Sequence, residues 1–215
     1  MTEPAHLAAV RESSDTVAAD YLHRVVPPEG MDPVSRAMLA AFAELVRAAG
    51  GGPVADLGCG PGRVTAYLAG LGLSAFGVDV SGEMVALARR AYPRLRFHRG
   101  TMSALDLPDG TLGGILAWYS VHHTPPELLP ALFAEFHRVL APGGLLLLGG
   151  HAGDARLHPA TAYGHPVSFG SYLLPADRLA DLLDGAGFTV TTRLEQLRPD
   201  RPDRSYVSLL AEPRA

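Results

Sequence analysis

The run Val54-Ala55-Asp56-Leu57-Gly58-Cys59-Gly60-Pro61-Gly62-Arg63-Val64 has the form of a short apolar strand that enters a Gly-x-Gly-x-Gly turn and leaves it as a helix. Glycines tolerate positive φ and let a ligand approach the backbone. A second apolar run, Phe76-Gly77-Val78-Asp79, ends in a carboxylate 17 positions after Gly62. An acid at the tip of a second strand can accept from both hydroxyls of a ribose. Outward from this core, short apolar runs (Val54 to Leu57, Ala75 to Val78, Leu95 to His98, Ile115 to Trp118, Leu145 to Leu148) alternate with helical segments. That alternation marks βα units around a parallel sheet buried on both faces, so the fold is predicted to be α/β. The helix expected over Pro126 to Leu140 shows the pattern. Leu129, Leu132, Phe133, Phe136 and Leu140 form one stripe, and Pro142-Gly143-Gly144 closes it.

Two helical stretches are expected before the core, separated by Val26-Pro27-Pro28-Glu29-Gly30. The second, Pro33 to Ala49, carries Met38, Leu39, Phe42, Leu45 and Val46 at amphipathic spacing. Beyond Leu148 the order weakens: Gly149 to Leu174 holds three His and two Pro without a clear period, as a long loop or lid would. A helix over Pro175 to Asp184, a strand from Phe188, a charged turn from Arg198 to Arg204 and a last strand from Tyr206 to Ala211 complete the chain. The last two strands are expected to pair antiparallel at the sheet edge. The chain is thus predicted to be a single domain, residues 1–215, with a helical cap (1–52) and a core (53–215) that includes the lid-like segment 149–174.

A chain of 215 residues with 47% hydrophobic and 19% charged residues is globular and long enough for one sizeable core. All 18 basic residues are Arg. Without Lys there is no P-loop, no Schiff base to pyridoxal phosphate and no protein kinase. The net charge of −4 argues against a nucleic-acid partner. Arg89, Arg90, Arg94, Arg96 and Arg99 cluster, as the solvated end of a helix and its following turn would. No run approaches the roughly 18 apolar residues of a membrane span. The first residues lack the basic start and apolar stretch of a signal peptide, so the expected place is the cytoplasm. The single Cys59 can form no internal disulfide.

Two ligands compete for the glycine turn. A nicotinamide or flavin site expects Gly-x-Gly-x-x-Gly and a pyrophosphate on the helix N-terminus. Here the third glycine comes one position early, and Asp56 at the strand tip would repel a pyrophosphate. It would suit a ligand bearing an ammonium and a sulfonium, as S-adenosylmethionine does.

Asp56-Leu57-Gly58-Cys59-Gly60-Pro61-Gly62 together with Gly77-Val78-Asp79-Val80-Ser81-Gly82-Glu83-Met84 resembles motifs I and II of class I S-adenosylmethionine-dependent methyltransferases, in the small-molecule branch that includes quinone-biosynthesis enzymes. The likeness continues in Gly100-Thr101-Met102, in Ala117-Trp118-Tyr119-Ser120-Val121-His122-His123, in Phe136 to Gly144 and in Leu182 to Phe188, covering about Pro53 to Pro213. It implies a Rossmann-like seven-stranded sheet of order 3-2-1-4-5-7-6 with only the last strand antiparallel. It also implies S-adenosylmethionine as methyl donor and S-adenosylhomocysteine as product, with an O, N or C atom of a small organic molecule as acceptor. Two departures stand out: Thr101 where the family often has an acid facing the adenine, and Gly113-Gly114 where it commonly has an Asp before strand four.

On this resemblance the donor is expected to contact Asp56, Gly58, Cys59, Gly60, Gly62, Asp79, Val80, Met84, Gly100, Thr101, Met102, Trp118 and Tyr119, with Arg36 on its carboxylate. Cys59 is needed as a small residue, its thiol inert. His122 and His123 leave strand four at the end where α/β sheets bind ligands. Neighbours leaving a strand tend to face opposite ways, so one of the two is expected in the site. His123 is favoured as a base or substrate-orienting group. Tyr21, Tyr163 and His165 are the candidate acceptor contacts. His151, His158 and His165, with Asp154 the only acid at ligand spacing, do not make a metal site. Three alternatives remain open: a nucleic-acid methyltransferase, whose Asn/Asp-Pro-Pro-aromatic motif is replaced by Ala117-Trp118-Tyr119-Ser120; a protein that binds the donor or its product without methyl transfer; and a nicotinamide oxidoreductase.

Overall fold

The computed structural model describes residues 3–197 and 203–214. Two helices precede the sheet, α1 (Ala5–Arg24) and α2 (Pro33–Ala48). They are parted where Pro27 and Pro28 lack amide donors and one 3-10 turn, Pro28–Gly30, intervenes. Asp32 starts α2: its Oδ1 accepts from Val34 N and Ser35 N at 3.0 Å, a cap of about 1 kcal/mol. Next come β1 (Pro53–Leu57), α3 (Arg63–Gly70), β2 (Ser74–Asp79), α4 (Gly82–Ala91), β3 (Arg96–Arg99), β4 (Leu112–Trp118), α5 (Leu129–Val139) and β5 (Leu140–Gly153). Four short strands, β6 (Ala155–Leu157), β7 (Thr161–Ala162), β8 (His165–Pro166) and β9 (Ser171–Leu173), lead to α6 (Ala176–Gly185) and to the pair β10 (Phe188–Leu197) and β11 (Arg204–Pro213).

The seven-stranded sheet runs β3-β2-β1-β4-β5-β11-β10. β11 is antiparallel to both neighbours, whereas the other ladders are parallel. Counted by main strands this is the order 3-2-1-4-5-7-6 that the resemblance implies. Period-two alternation sends the strands' side chains to two separate cores. Ala55, Leu57, Ile115, Ala117, Leu146 and Leu148 pack with α5 and α6, while Val54, Leu116, Trp118, Leu145 and Leu147 pack with α2.

β10 and β11 pair antiparallel at the sheet edge as expected, with β10 outermost and β11 beside β5. Other expectations are corrected. The segment expected as loop from Gly149 begins as strand: Gly149 to Gly153 pair with Arg204 to Ser208 of β11. The helix expected from Pro126 opens with a 3-10 turn, Pro126–Leu128, and ends at Val139; Pro142-Gly143-Gly144 lies within β5. The rest of segment 149–174 forms two small antiparallel ladders, β6 with β9 and β7 with β8. Of the turn expected over residues 198–204, only Asp203 and Arg204 fall within the described residues.

The departure at Gly113 has a packing cause: a Cβ there would sit 2.3 Å from the Gly51 carbonyl oxygen. A side chain at this position would drive apart β4 and the turn before β1. Gly149 likewise makes room, since its Cβ would lie 2.3 Å from the Trp118 ring.

Candidate active site

The site forms at the C-terminal ends of β1, β2 and β4. Gly58, Gly60 and Gly62 all have left-handed φ, 75°, 52° and 79°, which glycine alone adopts without strain. A Cβ on Gly58 would lie 2.4 Å from Ser120 Cβ, and one on Gly62 2.7 Å from the Phe97 ring; one on Gly60 meets nothing within 4 Å. Gly58 and Gly62 are therefore required by protein packing, while Gly60 faces open space. Gly62 lines neither of the cavities described below. Its close approach to the Phe97 ring seats α3. Cys59 is buried beside Gly77, and burial pushes its thiol well above its ordinary range, so it stays protonated.

Asp79 ties this loop to the next strand. Its Oδ2 accepts from Gly60 N at 2.8 Å and its Oδ1 from Ser81 N at 2.9 Å. Ser81 Oγ accepts from Met84 N, capping α4, and donates to Asp15 Oδ1 at 2.6 Å, which fastens α1 to that helix start. Asp56 Oδ2 accepts from Thr65 Oγ1 at 2.6 Å. Burial pushes Asp56 up to about 7. Asp79 is also raised by burial, against the pull of its backbone donors. Among the described residues neither acid has an Arg or His partner. Two buried carboxylates at the tips of β1 and β2 without a cation fit a ligand that carries a ribose and a positive charge, because each can still accept further hydrogen bonds.

Two cavities meet here and share Ser14, Tyr21, Gly58, Gly60, Met84, Tyr119 and His123. The smaller, of about 340 Å³, is lined by Asp79, Val80, Gly100, Thr101, Met102 and Ser120, with the first half of α1 across it. The larger, of about 790 Å³, holds Asp56, Cys59, Trp118, His122, His123, His151, Tyr163, Phe169 and Tyr206. Thr101 Oγ1 accepts from Ser103 N at 3.2 Å and lies 2.8 Å from Ser103 Oγ, so the hydroxyl that replaces the family's acid already serves a local turn. Trp118 Nε1 and Ser120 Oγ are buried without a hydrogen-bond partner among the described residues.

His123 Nδ1 lies 2.9 Å from the Gly170 carbonyl oxygen. A carbonyl only accepts, so Nδ1 carries the proton and Nε2 keeps a lone pair. Burial depresses His123 and, more strongly, His122 below the ordinary histidine range, which keeps both neutral. The expectation that only one of them enters the site is wrong: both line the larger cavity, with ring centroids 4.1 Å apart. Tyr119 at φ 55° breaks the strand's alternation, and the 3-10 turn Val121–His123 carries both rings to the same side.

Two other residues expected in the site lie off both cavities. Arg36 donates through Nη1 to the carbonyls of Glu29 and Met31 at 3.0 and 2.7 Å and lines neither cavity. Arg63 lines the larger cavity, as Arg204 does, and donates at 2.6 Å to Leu22 O and to Val25 O at the end of α1. His165 also lies off both cavities, because its Nε2 is bound to Asp20 Oδ2 of α1 at 2.6 Å. Sequence reasoning passed over Arg63 although a signal was present: a cation opening α3 opposes the helix dipole and needs another reason to be there. His151 and Tyr206 face each other across the β5–β11 pair, a contact between positions 55 apart in the chain that no local pattern announces.

A family model for a methyltransferase domain matches residues 54–144. An uncharacterized methyltransferase of Mycobacterium tuberculosis is 30% identical over 188 residues, spanning 74% of each chain. A demethylmenaquinone methyltransferase of Chlorobaculum parvum is 36% identical over 92 residues, 42% of this chain and 37% of its own. Across these curated relatives the chain thus spans between 37% and 74% of the relative's length. Among solved structures, the 1,6-didemethyltoxoflavin N1-methyltransferase of Burkholderia thailandensis, with 1,6-didemethyltoxoflavin and S-adenosylhomocysteine bound, superposes with a TM-score of 0.69 at 25% identity, covering 100% of this chain and 92% of that one. The glycine turn, the two tip carboxylates and the sheet order define a Rossmann-like methyltransferase. The chain belongs to the S-adenosylmethionine-dependent methyltransferases.

Proposed function

We propose that this protein transfers the methyl group of S-adenosylmethionine to an O, N or C atom of a small organic molecule, such as a specialised metabolite. The donor supplies an electrophilic methyl group on a sulfonium. Asp79, Gly60, Val80 and the Gly100 to Met102 segment would hold its nucleoside part, and Asp56, Gly58 and Tyr119 its charged end. The acceptor would enter the larger cavity, where His123 Nε2 can take a proton from it. The helix α1 and the segment from β6 to β9 would act as cap and lid over both. The observation that carries this reading is the junction of the two cavities: the buried acids Asp79 and Asp56 line one cavity each, and Tyr21, Tyr119 and His123, a neutral histidine with a defined lone pair, line both. The likeness to a toxoflavin methyltransferase supports a small-molecule acceptor.

Thermal unfolding with S-adenosylhomocysteine and, separately, with NADH tests the reading. At 100 times the dissociation constant, one-site binding stabilises by about 2.7 kcal/mol, a shift of about 5 to 10 °C for a domain of this size. A shift with S-adenosylhomocysteine alone is expected. No shift with it, or a larger one with NADH, would overturn the assignment.

A further inference from the structure

Between β6 and β9 the chain makes one tight hairpin, β7 with β8, in which Ala162 pairs with His165 across Tyr163 and Gly164. Both turn residues have positive φ, 53° and 90°, as a two-residue hairpin turn of the primed kind requires. The first of these positions favours Asn, Asp or Gly, and a Tyr held there is strained. What Tyr163 gains is contact. Its ring meets Tyr21 of α1 edge to face at 5.1 Å, and with Ala162 it lines the larger cavity.

The hairpin is fastened to α1. His165 Nε2 donates to Asp20 Oδ2 at 2.6 Å, and Ser168 N donates to Ser13 Oγ at 3.0 Å. Tyr163 and Val167 pack against the cluster of Val17, Ala18 and Met84. Among the described residues, every hydrogen bond that leaves residues 160–168 for another element ends on α1. None of Ser13, Asp20, His165 and Ser168 lines either cavity. The Asp20–His165 pair is partly exposed and adds little to stability, which leaves position as what it supplies.

The same helix roofs the smaller cavity. Leu7, Val10, Ser14, Val17 and Tyr21 recur at steps of three and four and so share one face of α1. Leu7 and Val10 line the smaller cavity, Val17 the larger, and Ser14 and Tyr21 both. A helix moves as a rod, so contacts made at one end of this face set where the other end sits, together with whatever is fastened to it.

We propose that His165 and Ser13 are positioning residues of the methyl-transfer site: they mount the β7–β8 hairpin on α1, so that filling the smaller cavity fixes Tyr163 and completes the wall of the larger one. This rests on the reading above that places the donor's nucleoside in the smaller cavity. Neither residue touches donor or acceptor. The acceptor's site is complete only with the donor in place, and by linkage each ligand tightens the binding of the other.

The test is hydrogen exchange on the full chain with and without saturating S-adenosylhomocysteine, for the native protein and for the double variant Ser13→Ala, His165→Ala. In the native protein the ligand is expected to slow exchange at least about threefold both in α1 and in residues 160–168. In the double variant α1 is expected to slow as before and the affinity for S-adenosylhomocysteine to stay within about threefold by calorimetry, while residues 160–168 no longer respond. The single variant His165→Ala is expected to respond between the two, and exchange in the central strands reports that each variant is folded. If native residues 160–168 ignore the ligand while α1 slows, the proposal is overturned and methyl transfer stands. The same holds if they still slow in the double variant, since contact with the ligand alone would then protect them. No binding by calorimetry and no slowing in α1 or the glycine loop would overturn the donor assignment and the proposal together.

Discussion

Asp56 is one residue whose chemistry the fold changes. Its carboxyl titrates near 7 when folded against an ordinary 3.8, so between those values the folded state holds the proton that the unfolded state has lost. Stability contributed by Asp56 therefore falls as pH rises from about 4 through 7. His122 and His123 work in the opposite sense, since their folded values lie below the ordinary one. Comparing urea midpoints at pH 5 and pH 8 for the native protein and Asp56→Asn isolates the first effect: the variant is expected to lose less stability, or gain more, on going to pH 8. Asp79→Asn removes the charge that would meet the ribose and loosens the bond to Gly60 N. It is expected to weaken S-adenosylhomocysteine at least about tenfold by calorimetry, more than Tyr119→Phe does. His123→Gln keeps a donor for Gly170 but not the imidazole lone pair. Turnover is expected to fall about 100-fold or more while S-adenosylhomocysteine affinity stays within about threefold.

At the scale of elements, α1 is attached to the core through a few named contacts. Asp15 receives Ser81 Oγ and Glu83 N, Arg63 holds the carbonyls that end the helix, and Asp20 meets His165 of β8. The last pair is partly exposed, with 36% and 47% of its side chains accessible, and adds little to global stability. Arg63 is different, because it seats the helix at the rim of the cavity. Arg63→Gln is expected to weaken S-adenosylhomocysteine several-fold by calorimetry and Arg36→Gln to leave it unchanged, since Arg36 serves only the turn before α2. Glycines give a second contrast. Gly113→Ala would force a methyl group onto the Gly51 backbone and is expected to cost roughly 1–3 kcal/mol. Gly185→Ala at the end of α6 meets nothing and is expected to be neutral or to gain about 0.5 kcal/mol. Thermal midpoints separate the two.

Across the whole molecule, stability is graded from the sheet outward. β1, β4, β5 and β11 carry fully buried side chains on both faces, whereas α1 buries only Ser13, Val17 and Ala18. The helix that roofs both cavities is therefore the least anchored of the long elements, and hydrogen exchange is expected to be faster in α1 and in residues 155–173 than in the central strands. S-adenosylhomocysteine is expected to slow exchange in α1 most, because that helix lines the smaller cavity, where the donor is proposed to sit. Protection confined to the glycine loop would show that α1 does not respond to the donor.

The run from Val54 to Val64, the carboxylate of Asp79 and the alternating apolar segments were enough to determine the α/β class and to place the glycine turn and the two tip carboxylates, while the strand order came from the family resemblance that these motifs carry. Those features are local: strand period, a turn that demands glycine and an acid at a strand tip are all written within about a dozen neighbouring positions. The larger cavity was legible only in part, through Tyr21, Tyr163 and His123. That cavity is assembled from α1, the turn after β4, β5, the short strands and β11, so its membership depends on which distant strands become neighbours. Arg36 and Arg63 were indistinguishable as charges in a helix start, and only docking of α1 put one on the cavity rim and the other on a turn. His122 and His123 were expected to diverge by strand period, and only the left-handed kink at Tyr119 turned both inward. Local chemistry follows from which residues are adjacent in the chain; the shape of the larger cavity follows from packing between elements far apart in it.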